Sequence, residues 1–408
     1  MLRPRLLDHR RLHRRRRRLG EVDHVRTLRV LSAVRDVPRA TWNALVGDGS
    51  PFLEWEWLAT VEDSGSATPA AGWLPQHLTL WEDGQLVGAC PLYVKGHSLG
   101  EFVFDQGWAA AAGRAGIAYY PKLLVGVPFT PVTGARFLAV GAARREIIAA
   151  LAAALEERCR RDRFSSVHVN FCLPDETAVL GARGWLQRTG YQYHWSNPGF
   201  TTFDEYLARL RSKRRNQARR ERRTLAADGV EITVHAGSDI PPALMPRMFE
   251  LYQSTVERLP WGQQYLDHRF FELAGERLRH RLCLVVARQG GEVIAGTFNV
   301  QKGDALYGRY WGAVRALRHL HFNVCYYAAI EHCIAAKLRR FEPGAGGEFK
   351  QLRGFEPRAT ESMHFIVDRR LADAVRAFLG RERQAIAAEM RWLEEQTALR
   401  RDRTEPGD

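Results

Sequence analysis

LCLVVARQGGEVIAGTFNVQKGDALYGRYWG, residues 282–312, reads as three strands in succession. Apolar and β-branched residues fill Leu282–Ala287 and Val293–Val300. Gln289-Gly-Gly-Glu292 supplies the turn between them, and Ala305–Gly312 follows as an aromatic third strand. Around this meander the spacing changes from two to three or four. Leu244–Arg258, Asp267–Arg279 and His319–Lys337 carry apolar residues at helical intervals.

The first half of the chain follows the same plan. Phe52, Trp55, Leu58 and Ala59 have helical spacing, and Gln76–Trp81 and Leu86–Lys95 flank an Asp83-Gly84 turn, a hairpin signal. Ile147–Cys159 is an amphipathic helix, Val167–Phe171 a strand, and Leu180–Thr189 is expected to be a short helix ended by Gly190. Helices, meander, helix and strand appearing twice imply duplication of one α/β module with its boundary near Asn197. The expected organisation is a basic disordered leader (1–25), a first domain (26–196), a second (197–369), and a C-terminal helix and tail (370–408).

Between the modules, Thr202 and Glu205 make a capping box opening a helix. That helix continues into RSKRRNQARRERR, residues 211–223, until Asp228-Gly229 stops it and Val230–His235 alternates as a strand. With 408 residues, 45% of them hydrophobic, the chain can bury a large core, and its net charge of +14 favours phosphate-bearing partners. The six cysteines, Cys90, Cys159, Cys172, Cys283, Cys325 and Cys333, have no metal spacing and fit reduced thiols of a cytoplasmic protein. No apolar run is long enough to span a membrane.

Two stretches are rich in chemistry. EPGAGGEFKQLRGFEPRATESMHF, starting at Glu342, sets Gly344, Gly346, Gly347 and Gly354 around an acid, an amine and a guanidinium. Glycines let a ligand approach the backbone, and such groups fix an anion or carbonyl and move a proton. Glu348 is read as a base, Lys350 and Arg353 as the anion-stabilising pair, and His321 or Tyr310 as auxiliaries. Arg309 and Trp311, on the third strand of the meander, are read as substrate contacts, as are Lys213, Arg214 and Asn216 on the basic helix. In the first module, Lys95, His97, Glu101, Asp105, Tyr120 and Lys122 combine aromatic walls with a few polar groups, as a ligand cleft does. The structural alternatives are a solvated loop, a solvated helical face and a core with satisfied polar tips.

PFLEWEWL, PLYVKGHSLGEFVFDQGW, VPFTPVTGARFL, SKRRNQARRERR, YGRYWG, LHFNVCYYAAIE and FEPGAGGEFKQLRGFEP resemble the FemAB-like peptidoglycan biosynthesis/recognition branch of the GNAT acyltransferase superfamily, from about Arg26 to Val367. The resemblance implies a mixed α/β fold of two tandem GNAT-like domains and acyl or aminoacyl transfer to an amine acceptor. The acceptor would be a small molecule, a peptide or a cell-wall precursor, and the donor either acyl-CoA or aminoacyl-tRNA. No other cofactor and no metal is implied. Asn323 stands where the family commonly carries an acid, and Phe349 where it carries a histidine. After the second meander the chain reads Arg315-Ala-Leu-Arg-His-Leu320, without the glycines of the usual coenzyme A pyrophosphate loop. The alternatives are a coenzyme A-dependent N-acetyltransferase of a small amine, and a non-enzymatic RNA- or envelope-binding module.

Overall fold

In the computed structural model, which describes residues 25–258 and 263–400, the quoted meander is one antiparallel ladder. Leu282–Gln289 pairs with Glu292–Lys302, and Glu292–Lys302 with Ala305–Ala313. Val230–Ala236 flanks Leu282–Gln289. On the opposite side, Arg340–Glu342 runs parallel to Ala305–Ala313 but pairs only with Ala305, Leu306 and Tyr307. The two strands part at Gly308, and the site described below lies there. The leader expected at 1–25 falls outside the described residues except for Val25, and the tail does so beyond residue 400.

The ladder can be buried because its side chains are apolar and its glycines admit helices. Leu282–Ala287 is buried throughout, the pattern of a strand covered on both faces. Helix Leu244–Arg258 lies so close to the third strand that a Cβ on Gly312 would stand 1.6 Å from the Leu251 carbonyl oxygen. No side chain fits that gap.

Two compact units are present. One comprises the described residues up to Thr189 with Thr360–Arg383; the other comprises Gly190–Ala359 with the described residues from Gln384. The chain passes between them inside strand Leu186–Ser196, inside strand Glu356–Ile366 and inside helix Arg369–Glu395. The domain division read from the sequence stands as a proposal about the duplicated modules, which compactness does not address.

The first unit holds two sheets. Arg26–Leu31, His77–Glu82 and Gln85–Cys90 form one, with Asp83 and Gly84 at positive φ in the expected tight turn. The second runs through Trp73–Pro75, Leu92–Lys95, Lys122–Val125, Ser166–Asn170 and Ser362–Ile366. Pro91 sits where the chain leaves one sheet for the other; it has no N–H to give to a ladder. Leu80, Leu123, Ile148, Leu151, Val167 and Val169 are the centre of this unit's core.

Three local expectations change. The helix expected at 180–189 is Pro174–Ala182, opened by Pro174 at its first position, and the chain passes through Gly190 as strand. The Thr202–Glu205 capping box is present, but extended backbone at Leu210 divides the following helix into Phe203–Arg209 and Ser212–Ala227. Within the aromatic stretch of the first module, Gln106–Arg114 forms a helix around its alanine run.

Candidate active site

Strand Arg340–Glu342 delivers the chain into the glycine-rich loop, and the loop folds back against the meander. A Cβ on Gly308 would lie 3.2 Å from Pro343, and one on Gly344 would lie 3.2 Å from the Gly308 carbonyl oxygen. Both glycines are therefore needed for contact between loop and strand. Arg309 follows as the extra residue of a β-bulge, because Phe298 pairs with Tyr310 and Asn299 with Gly308. Bulges re-aim side chains beside functional sites.

The loop ends in the short 3-10 helix Glu348–Arg353, which turns Lys350 inward. Lys350 is buried, and its ammonium donates to the Gly344 carbonyl oxygen at 2.5 Å. Burial lowers its pKa to about 8. His321 stands edge-on to Trp311 at 4.7 Å and to Tyr326 at 5.2 Å between ring centroids. Burial, then the positive charges of Arg353 and Lys350, lower the His321 pKa to about 4, so the ring is neutral near pH 7. Phe349 packs against Phe322 at 5.6 Å while remaining exposed at the tip of the loop.

Three residues take roles other than those read from the sequence. Arg353 is buried beneath the basic helix, where one guanidinium nitrogen donates to both Glu221 carboxylate oxygens at 3.0 and 2.9 Å and the group lies 3.5 Å over the Phe322 ring. Tyr327 and Gln217 also donate to Glu221. An arginine so engaged holds the loop to the helix and is not directed at a ligand. Tyr310 follows the bulged Arg309, whose guanidinium lies 5.4 Å from the centre of its ring. It packs on Tyr252 and Phe298, away from the Trp311–His321 pair. Glu348 projects into solvent at the start of the short helix, without a hydrogen-bond partner among the described residues.

The acid that the strand ends do bury is Glu342. Arg340 forms an ion pair with one carboxylate oxygen at 2.9 Å. The other oxygen is buried with no hydrogen bond, 3.6 Å from His194 Nε2, which is likewise unpartnered. Burial raises the Glu342 pKa to about 7, against the pull of Arg340 and Arg309. His194 is lowered to about 3 by burial and by Arg340, Arg358 and Lys350, so it is neutral beside that carboxyl. Glu342 was visible in the sequence as the last strand residue before Pro343-Gly344. Burial cannot be read from a glycine-rich stretch, so sequence alone points to Glu348.

In the first unit, the residues singled out there form one buried cluster. Lys122 donates to Ser98 at 2.8 Å, to Glu101 at 2.9 Å and to Asp105 at 2.5 Å. Tyr119 donates to Asp105 at 2.6 Å, and the Tyr120 hydroxyl meets that of Ser98 at 2.8 Å. Burial raises Glu101 to about 7 and lowers Lys95, 3.5 Å over the Trp73 ring, to about 7. One oxygen of Glu101 and one of Asp105 lack partners. His97 accepts from the Leu99 amide at 3.2 Å and fills the space beside Gly72, so it is a packing residue at the margin.

On the basic helix Lys213 and Asn216 are exposed, and Arg214 donates to Gln217 at 3.1 Å. Among the described residues no helix is long and apolar enough to cross a membrane. All six cysteines are free thiols.

Solved structures share this architecture. FemX matches with a TM-score of 0.52 at 12% identity, over 83% of this chain and 98% of its own. L-PGS from Bacillus licheniformis matches with 0.51 at 9%, over 84% and 97%. A conserved protein of unknown function from Bacteroides thetaiotaomicron matches with 0.50 at 12%, over 83% and 99%. At such identities the likeness establishes a shared α/β fold and nothing about activity. No curated protein matches the chain in sequence. The FemAB-like family, described as peptidoglycan biosynthesis/recognition, matches residues 33–401, and the chain belongs to this family.

Proposed function

We propose that this transferase moves an acyl or aminoacyl group from a phosphate-bearing carrier, acyl-CoA or aminoacyl-tRNA, to an amine of a cell-wall peptide precursor at the Gly344 loop. The observation that carries the reading is that the segment where two strands part buries an acid and an amine with unlike protonation preferences. A buried carboxyl is raised to about 7 and a buried amine lowered to about 8 on the same short segment. Groups tuned in this way suit proton transfer near neutrality.

The acceptor amine attacks the donor's carbonyl carbon. The new C–N bond forms, the amine's proton passes to Glu342, and the tetrahedral oxyanion faces the Lys350 ammonium. On collapse the C–O bond of an aminoacyl ester or the C–S bond of a thioester breaks, and the leaving oxygen or sulfur takes the proton that Glu342 holds, which returns the carboxylate to its starting state. One preorganised cationic donor accounts for about 3 kcal/mol of transition-state stabilisation. The exposed cations of Ser212–Ala227 suit a phosphate-bearing donor.

The test supplies labelled acetyl-CoA and a labelled mixture of aminoacyl-tRNAs, each with a nucleotide-linked muropeptide. Label on an acceptor amine from either donor supports the reading and identifies the donor. Label from neither, with a folded protein that binds tRNA, favours a binding module.

A further inference from the structure

Transfer to an amine carries a proton balance that a buried base has to settle. A lysine-type amine, of pKa about 10.4, arrives at neutral pH as an ammonium. An ammonium and an ester or thioester give an amide, an alcohol or thiol, and one free proton. Two protons therefore leave the nitrogen. The leaving group takes one, and the other has to reach solvent. Glu342 is buried, and one of its oxygens is shut off from the surface with no hydrogen-bond partner among the described residues. Arg340 holds the other oxygen at 2.9 Å and fixes the direction of the carboxyl.

Strand Leu186–Ser196 runs antiparallel to Arg340–Glu342, with Ser196 opposite Arg340 and Trp195 opposite Phe341. One step further, the same register sets His194 opposite Glu342, and side chains directly opposite share a face. The unpartnered Glu342 oxygen and His194 Nε2 are 3.6 Å apart. That is too long for a direct hydrogen bond, and a small movement or one bridging water connects the two. Nε2 is buried, yet the His194 side chain is 14% exposed, so its exposed part lies away from Nε2. The imidazole thus reaches from the buried carboxyl toward the surface.

We propose that His194 is the proton exit of this site, taking the first amine proton from Glu342 at Nε2 and releasing another to solvent from Nδ1. The inference rests on Glu342 as the base. The Glu342 O–H bond breaks as the Nε2–H bond forms, and the Nδ1–H bond breaks to water. The ring changes tautomer and stays neutral. Its surroundings require this. Burial, and then the positive charges of Arg340, Arg358 and Lys350, disfavour a lasting imidazolium, and Glu342 is the acid that faces the ring. Ionised again, Glu342 is ready for the second proton as the C–N bond forms. His194 meets Glu342 and not the reacting atoms, so its loss slows proton exit without weakening the acceptor.

His194→Ala leaves the ring's space open and His194→Phe fills it. Both are compared with wild type on labelled acetyl-CoA and labelled aminoacyl-tRNAs with a nucleotide-linked muropeptide, with and without added imidazole. Each variant should lose about tenfold or more in kcat at an unchanged KM for the muropeptide. Imidazole should restore His194→Ala, leave His194→Phe slow and leave wild type unaffected. A second readout needs no turnover. After a jump from alkaline to acid pH, the infrared band of the Glu342 carboxylic acid, identified by its loss in Glu342→Gln, should appear about tenfold or more slowly in His194→Phe than in wild type. Circular dichroism confirms that the variants fold. Wild type that labels no acceptor sinks the transfer reading, and the infrared rate then decides the exit by itself. Full activity in both variants would overturn the proposal. So would a wild-type infrared rate in His194→Phe, or a loss in His194→Ala that imidazole does not restore.

Discussion

Replacing Glu342 by glutamine should stabilise the protein at alkaline pH. The carboxyl rises from an ordinary value of 4.5 to about 7, chiefly through burial. At about 1.4 kcal/mol per pKa unit, the ionised form is disfavoured by about 3 kcal/mol in the folded state. A carboxyl raised in this way binds its proton more tightly folded than unfolded. Wild-type stability is thus lost as pH climbs from about 4.5 through about 7, and the loss is complete above that. Glutamine has no such dependence. It does release Arg340 from its partner, but Arg340 is 45% exposed and is hydrated instead, and the attraction it loses is already contained in the Glu342 value. The stability advantage of Glu342→Gln over wild type should therefore grow by about 2 kcal/mol between pH 5 and pH 8. Urea denaturation at the two pH values, with both proteins compared at each, measures it. An advantage that stays constant, or shrinks with pH, would refute the assignment of Glu342 as a buried, ionisable base.

Three further outcomes follow from the same geometry. Lys350→Met should lower kcat about a hundredfold with a much smaller change in KM, because the lost interaction belongs to the transition state; steady-state kinetics decides it. Arg353→Met should destabilise the chain by about 3–5 kcal/mol, since it leaves Glu221 charged and buried, and Tm should fall accordingly. Lys213→Ala, Arg214→Ala and Arg215→Ala combined should weaken tRNA binding and flatten its dependence on salt, measured by filter binding at several ionic strengths.

Much of the fold is legible because the second meander is built of apolar and β-branched runs that turn where its glycines stand, and because helix Leu244–Arg258 has helical spacing. The helix expected at 180–189 was misplaced because Gly184 and Gly190 are equally good stops on paper; Pro174 sets the true start. The Gly344 loop was found by composition, but roles within it depend on which side chains turn inward. A 3-10 turn buries Lys350 and Arg353 and leaves Glu348 outside, and no periodicity marks so short an element. Glu342 is far in sequence from His194, and Glu221 from Arg353, so tertiary structure alone brings each pair together.

The pH dependence of transfer tests the central claim most directly. Glu342 accepts a proton only when ionised, so kcat/KM should rise with pH through about 7. Lys350 stabilises the oxyanion only when protonated, so it should fall again through about 8. A narrow bell with its maximum between those values, its acidic limb altered in Glu342→Gln and its alkaline limb in Lys350→Met, is the predicted result. A rate that is flat from pH 6 to pH 9, or a bell unchanged by either substitution, would contradict the account.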